Sequence, residues 1–440
     1  MITMPTSGQP VPTPAKARTD RPRNGAPTPS PDHDTDSRLA ELARARSLKM
    51  ARSAHAYVRG STLKFYEWLD EARRTALPEG PSIWICGDCH VGNLGPVAND
   101  LGEVEIQIRD FDQTVIGNPV HDLIRLGLSL AMALRSSDLP GVTTALMIEH
   151  MMTGYLSAFQ GNGSAPDSKK ERPTSVHVAL KEANRRTWKH LAQERLNGRT
   201  ARIPLGARFW QISGQERDDI RALCREPETV GLIKQLRQRG ASADVQFLDA
   251  AYWKKGCSSL GKLRFAVMLD IDGLATKGRD LCLTDIKEAV KAAAPRDQSA
   301  AMPREYAQRV VEGATRMSPF LGERMVATRL GDRSVFIREL LPADLKLELG
   351  TIGVEEAKRA ARYLSAVVGR AHARQLDVAT RHSWQAELKR SQSKSLDAPS
   401  WLWNSIVELV GTHERGYLDH CRQYALESTR KIERIREQPA

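Results

Sequence analysis

Between Ser82 and Asp112 the chain places two strand-like runs around a loop dense in polar chemistry. Ser82–Cys86 reads as a short apolar strand, and Val104-Glu105-Ile106-Gln107-Ile108 alternates with period two. Gly87-Asp88-Cys89-His90-Val91-Gly92-Asn93 follows the first run, and Arg109-Asp110-Phe111-Asp112 follows the second. Gly92, Gly95, Pro96, Asn99, Asp100 and Gly102 make the stretch between them rich in turns. The rest of the chain has to be fitted around this strand–loop–strand unit. Asn118-Pro119 then opens a helix, with Asn as N-cap and Pro at the first helical position. Val120, Leu123, Ile124, Gly127, Leu128 and Ala131 line one face and Leu126, Leu130, Met132 and Leu134 fill the rest, so the helix is expected to be buried. Asp122, in its first turn, is read first as a carboxylate favoured by the helix N-terminus, with bracing of the preceding loop as a second role.

The flanking sequence divides by composition. Residues 1–36 hold eight prolines among Thr, Ser, Gly and Asp, and are expected to form a disordered Pro-rich tail. Residues 37–244 read mostly helical outside the unit above, with a break near Arg59-Gly60 and a basic section from Lys169 to Arg202. A second β-rich unit is placed at 245–341: strands at Leu263–Leu269 and Leu281–Ile286, a helix at Pro303–Met317, and a hairpin across Gly331-Asp332-Arg333. Residues 342–440 return to helix, with Val354–Gln375 the longest periodic stretch. The formal charge of +12 favours an anionic partner, nucleotide or nucleic acid, although no nucleic-acid motif with aromatic platforms accompanies it. No apolar run approaches the roughly 18 residues of a membrane span, and the first residues hold no apolar export segment. Six cysteines in 440 residues do not look like a disulfide framework. A cytoplasmic protein is expected.

The chemistry follows from spacing. Asp88 and Asn93 lie five apart on a loop after a strand, the offset between the catalytic Asp and metal Asn of kinases, and Asp110 ends the next strand, where a second metal carboxylate belongs. Asp88 and His90 are the catalytic candidates. Asn93 and Asp110, with Asp112 as a helper, are the candidate magnesium ligands. Gly256, Ser258, Ser259 and Gly261 form a glycine-serine loop able to bring backbone N–H groups to phosphate oxygens. Lys287, on the following strand, is placed to grip the α- and β-phosphates, with Glu312 of the next helix as its ion-pair partner. Glu339-Leu340-Leu341 would be the hinge. These are the parts of a kinase small lobe, but they come after the catalytic loop. The expected fold is therefore α+β: a two-lobed protein-kinase-like fold with circularly permuted lobe order, a mostly helical large lobe and an antiparallel β-sheet small lobe. The expected function is ATP- and Mg2+-dependent phosphotransfer to an unknown acceptor, a small molecule or a protein.

As a set, Ala56-Tyr57-Val58-Arg59-Gly60, the Gly87–Asn93 loop, Asp110-Phe111-Asp112, Gly256–Gly261, Ile286-Lys287-Glu288-Ala289, Arg309-Val310-Val311-Glu312-Gly313 and Gly369-Arg370-Ala371-His372-Ala373-Arg374 resemble the bacterial family labelled domain of unknown function 2252, over roughly residues 50 to 380. The loop also resembles that of aminoglycoside phosphotransferases, in which a His usually precedes the Gly-Asp; here the position is Cys86. The resemblance implies kinase-like chemistry and brings forward Arg59, as a nucleotide-binding candidate, and His372. From chemistry alone, Arg59 reads as a surface or capping residue and His372 as a structurally satisfied one.

Other readings compete for the same residues. Cys86-Gly87-Asp88-Cys89-His90 matches the short pattern for haem attachment and contains a thioredoxin-like Cys pair, but the first needs export and the second leaves Gly256–Lys287 unexplained. A structural zinc site lacks a second Cys/His pair. A metallophosphoesterase-like hydrolase would use Asp88 and His90 with Asn118 and His121, yet lacks later His pairs. A nucleotide-binding pseudokinase would use every residue named above without turnover.

Overall fold

The computed structural model describes residues 35–72, 77–135, 139–160, 172–186, 202–236, 239–256, 261–273, 282–347, 352–390 and 398–437. Residues 1–34 of the expected tail lie outside the described residues, whereas Thr35 and Asp36 open the first helix; 169–171 and 187–201 of the basic section also lie outside them. The fold is mixed α+β, mostly helical, with antiparallel sheets.

Three helices open it: α1 (Thr35–Met50), α2 (Ala54–Gly60) and α3 (Thr62–Ala72). Ser53 caps α2 by accepting from the Ala56 N–H at 3.1 Å. The strand–loop–strand unit then forms two small antiparallel ladders. β1 (Ile83–Ile85) pairs with β4 (Val115–Gly117), and β2 (Leu94–Ala98) pairs with β3 (Val104–Ile108), whose limits match the alternating run. A single 3-10 turn at Val91–Asn93 leads into β2. The apolar helix, α4 (Val120–Leu134), is buried along nearly all its length. α5 (Val142–Ser157) and α6 (Thr174–Arg185) follow.

The second unit is a six-stranded antiparallel sheet in the order β5-β6-β7-β8-β10-β9. Its strands are β5 (Phe209–Trp210), β6 (Val245–Trp253), β7 (Arg264–Ile271), β8 (Cys282–Glu288), β9 (Met325–Leu330) and β10 (Arg333–Glu339). The unit starts earlier than the expected boundary at 245. β5 joins the sheet edge, and α7 (Gly214–Leu223) and α8 (Pro227–Gln235) pack Ile220, Leu223 and Ile233 against Val267, Ile286 and Ile337 of the sheet. Leu42 of α1 joins the same core, and Arg38 meets Glu216 at 2.6 Å. Gly331, with φ 57, opens the two-residue turn of the β9–β10 hairpin. α9 (Tyr306–Met317) and the short α10 (Pro319–Gly322) run between β8 and β9.

α11 (Val354–Ala373), α12 (Val378–Arg390) and α13 (Ser400–Glu437) return the chain to the helical body, where Ile406 of α13 packs at Gly127 of α4. α11 lies so close to α5 that a Cβ at Gly154 would stand 2.0 Å from the Arg362 carbonyl oxygen. Gly154→Ala should therefore destabilise the protein by about 1–3 kcal/mol despite alanine's better helix propensity, because a backbone atom cannot swing aside. Urea unfolding would show this as a lowered midpoint. Among the described residues, no helix is long and apolar enough to cross a membrane.

Candidate functional site

The Asp88 loop is held from beneath by Asp122. The Cys86 and Gly87 N–H groups donate to its two carboxylate oxygens at 2.7 and 2.9 Å. Asp122 stands in the first turn of α4, as expected, and also fills the second role: a fully buried carboxylate bracing the loop. Gly87 is needed there twice over, with φ 75 and a position where a Cβ would lie 2.1 Å from the Gln113 carbonyl oxygen. The Tyr66 hydroxyl donates to the Gly87 carbonyl. Behind Asp122 a chain of buried donors runs from Trp384 Nε1 to the Tyr155 hydroxyl at 3.2 Å, from that hydroxyl to His372 Nδ1 at 2.9 Å, and from His372 Nε2 to Asp122 at 3.2 Å. Burial raises the Tyr155 pKa, which keeps its phenol protonated as a donor. His372 is structurally satisfied; α3 reaches the loop directly through Thr62 and Tyr66, and α11 reaches Asp122 beneath it through His372.

Asp88 is buried, and each carboxylate oxygen has a partner: Arg125 Nε donates to one at 2.8 Å and the Thr62 hydroxyl to the other at 3.0 Å. Burial raises the Asp88 pKa against the opposing pull of Arg125. Arg125 is itself wholly buried on α4, with Nη2 donating to the Val58 carbonyl at 2.7 Å. The sequence reading missed Arg125 and Thr62. A lone Arg on a helix apolar all round was the available signal. His90 Nε2 lies 3.9 Å from Asp88. Burial, then the charges of Arg59 and Arg125, push the imidazole well below its ordinary pKa, so it is neutral. Asn93 donates its amide to the Asp88 carbonyl at 2.8 Å, which leaves its own carbonyl oxygen for the cleft it lines.

Behind Asp110, Lys287 on β8 brings Nζ to 3.2 Å from that residue and 2.7 Å from Asp112, although it is 177 residues from Asp110 in sequence. Burial alone would raise Asp110; Lys287 and Arg338 outweigh it and hold the carboxyl far below its ordinary range. Glu312 is not the partner of Lys287. It is half-buried on α9, and that helix sends Arg309 inward instead, to the Asp112 carbonyl at 3.1 Å and the Val290 carbonyl at 2.9 Å. Beside Lys287, the fully buried Asp285 accepts from Arg264 at 2.8 and 2.5 Å and from Arg338 at 3.2 and 3.0 Å. None of these three was singled out from sequence.

Gly256 and Gly261 bracket the β6–β7 connection, both left-handed at φ 98 and 102. Ser258 and Ser259 lie outside the described residues. The cleft has a cavity volume of ≈ 80 Å³, and His90, Asn93, Asp110, Gly256 and Arg59 are among its walls. A second hollow of ≈ 40 Å³ shares Arg109, Lys255 and Arg338 with it and reaches Leu340, Leu341 and Pro342. Arg59 sits on the Asp88 side: a Cβ at Gly92 would be 2.9 Å from Arg59 Cζ.

Two hard oxygen donors, Asn93 and the partly exposed Asp110, thus share one cleft, a donor set that suits magnesium. The hydrolase reading gains no such site. Asn118 caps Val120 at 3.0 Å, and among the described residues the group of His, Cys, Asp or Glu close enough to share an ion is Cys86, Cys89 and Asp122. The Asp122 oxygens in that group are already taken by backbone amides and His372; the hydrogen bond with Cys89, then burial, raises the Cys86 pKa, and burial raises that of Cys89 against the same hydrogen bond.

The model of the family described as "Uncharacterized protein conserved in bacteria (DUF2252)" matches residues 38–423. The chain belongs to that family. Neither the curated proteins nor the solved structures contain a match.

Proposed function

We propose that this protein is a nucleotide- and magnesium-dependent phosphotransferase with kinase-like parts in permuted order. The observation that carries the reading is the ion pairing of the buried Lys287 with Asp112 and with Asp110, which lines the cleft together with Asn93. A chain whose motifs merely resembled kinase parts would have no reason to bring the β8 lysine to a carboxylate pair formed 177 residues earlier. The order of parts agrees: a glycine-bracketed connection between β6 and β7, the lysine on β8, a helix, a hairpin, and then the linker at Leu340-Leu341.

In this reading, nucleotide phosphates draw Lys287 away from Asp110. Asn93 and Asp110 would hold magnesium, which supplies charge neutralisation at the β- and γ-phosphate oxygens. Asp88 orients the acceptor hydroxyl and takes its proton as the new oxygen–phosphorus bond forms and the bond to the nucleoside diphosphate breaks. The pairing of both Asp88 oxygens with Arg125 and Thr62 is the observation that favours the second reading, a pseudokinase that binds nucleotide without turnover.

Calorimetry with ATP tests the site. Asp110→Ala is expected to abolish the magnesium-dependent part of nucleotide affinity, since it removes the charged member of the donor pair. Unchanged magnesium dependence in the variant would remove Asp110 as a ligand and with it this reading.

A further inference from the structure

Three cations from three separate elements converge on one side of the cleft. Arg59 comes from the end of α2, Arg109 follows β3, and Lys346 follows the linker after β10. The acids nearby are engaged elsewhere. Lys287 meets Asp110 and Asp112, Arg264 and Arg338 share Asp285, and Lys255 adds a further cation to the lining beside Gly256. Asp344, near Arg109, gives its carboxylate to Arg324 at 3.1 and 2.9 Å, and Arg109 reaches only the Asp344 carbonyl at 3.1 Å. Among the described residues neither Arg59 nor Lys346 makes an ion pair.

These charges act on one another. Desolvation and the charges of Arg59, Arg109 and Arg264 lower the Lys346 pKa to about 8. Gathering like charges costs free energy that a bound anion would return. Two polar atoms also lack partners there: Arg59 Nε and, on a His90 side chain only 5% exposed, Nδ1. His90 stands beside Asp88, where an acceptor hydroxyl would lie.

We propose that Arg59, Arg109 and Lys346 bind a phosphate group already present on the acceptor, so that the acceptor is a phosphomonoester. Three cations on three sides match the several oxygens and the double charge of a phosphate better than the single charge of a carboxylate, and the guanidinium forks favour bidentate contact. The inference rests on the phosphotransferase reading. The product would carry the original phosphate and the newly transferred phosphoryl group.

The test is calorimetric titration of the full chain with inorganic phosphate, with and without a saturating non-hydrolysable magnesium–ATP analogue. Phosphate is expected to bind in both conditions. Lys346→Gln, at the exposed mouth, and Arg59→Gln should each weaken it by about 10-fold or more. Arg59→Lys, which keeps the charge but loses the bidentate fork, should weaken phosphate less than Arg59→Gln does, and acetate at the same concentration should not compete. The proposal is overturned if the analogue displaces phosphate, because the three cations then serve the nucleotide, or if both Gln variants bind phosphate like the wild type. Equal competition by acetate would also overturn it. Analogue that fails to bind, alongside phosphate binding that still depends on Arg59 and Lys346, would support the anion site and overturn the phosphotransferase reading instead.

Discussion

Asp88→Asn should lower phosphoryl transfer by about 10²- to 10⁴-fold, the usual contribution of a positioned base, while nucleotide and magnesium still bind. The structure adds a second expected effect. Asp88 is the counter-ion of a wholly buried arginine, so the neutral amide leaves Arg125 charged and only hydrogen-bonded. Breaking such a pair costs about 3–5 kcal/mol when the partner loses everything. Asn keeps an acceptor for Arg125 Nε, so the loss should fall toward the lower end of that range. A residue that merely filled a turn would show neither effect, because Asn suits the same turns. Turnover, ATP affinity and unfolding free energy therefore have to be measured on one preparation. Retained affinity with lost turnover identifies the base. A large stability loss with turnover intact would leave Asp88 as the counter-ion of Arg125 and put the pseudokinase reading in front.

How far the sequence could be read depended on whether a signal was local. β3 was legible because Val104–Ile108 alternates cleanly, and α4 because its apolar residues surround the axis. The β9–β10 turn was legible because Gly331 must take a positive φ. The early start of the sheet unit was not. β5 has two residues and no period, and the pattern of α7 and α8 reveals helices without revealing which body they cover. The site divides the same way. Asp88, Asn93, Asp110 and Lys287 stood out by spacing, and the structure brings Asn93 and Asp110 to one cleft, with Lys287 paired to Asp110 and the Asp88 carbonyl bonded to Asn93. Their partners did not stand out. Arg125 and Thr62 reach Asp88 from 37 and 26 residues away, and Arg338 reaches Asp285 across a strand pairing. Glu312 was chosen by analogy with a helix position, and the apolar stripe of α9 already turned it away. Packing turned Arg309 inward in its place.

Asp122 gives the sharpest contrast between a local and a long-range account of one residue. If it only complemented the N-terminus of α4, replacing it by Asn or Ala would cost about 0.3–1 kcal/mol in either case. In the structure it accepts from Cys86 N, Gly87 N and His372 Nε2 without solvent. Asp122→Ala would orphan three buried donors at about 1–3 kcal/mol each, a large share of the roughly 5–15 kcal/mol that holds a typical domain folded. Asp122→Asn keeps one carbonyl for one loop amide and turns an NH2 toward the other, so it should cost less than Ala but more than the helix-terminus account allows. Tyr155→Phe, which removes the hydroxyl behind His372, should cost less again because it leaves the loop amides paired. The expected order of destabilisation in urea is thus Asp122→Ala, then Asp122→Asn, then Tyr155→Phe. Turnover should fall with the first two even in the folded fraction, because the amides of Cys86 and Gly87 fix the backbone from which Asp88 projects. Equal and small losses for the two Asp122 variants would return the residue to its helix terminus and leave the Asp88 loop without its brace.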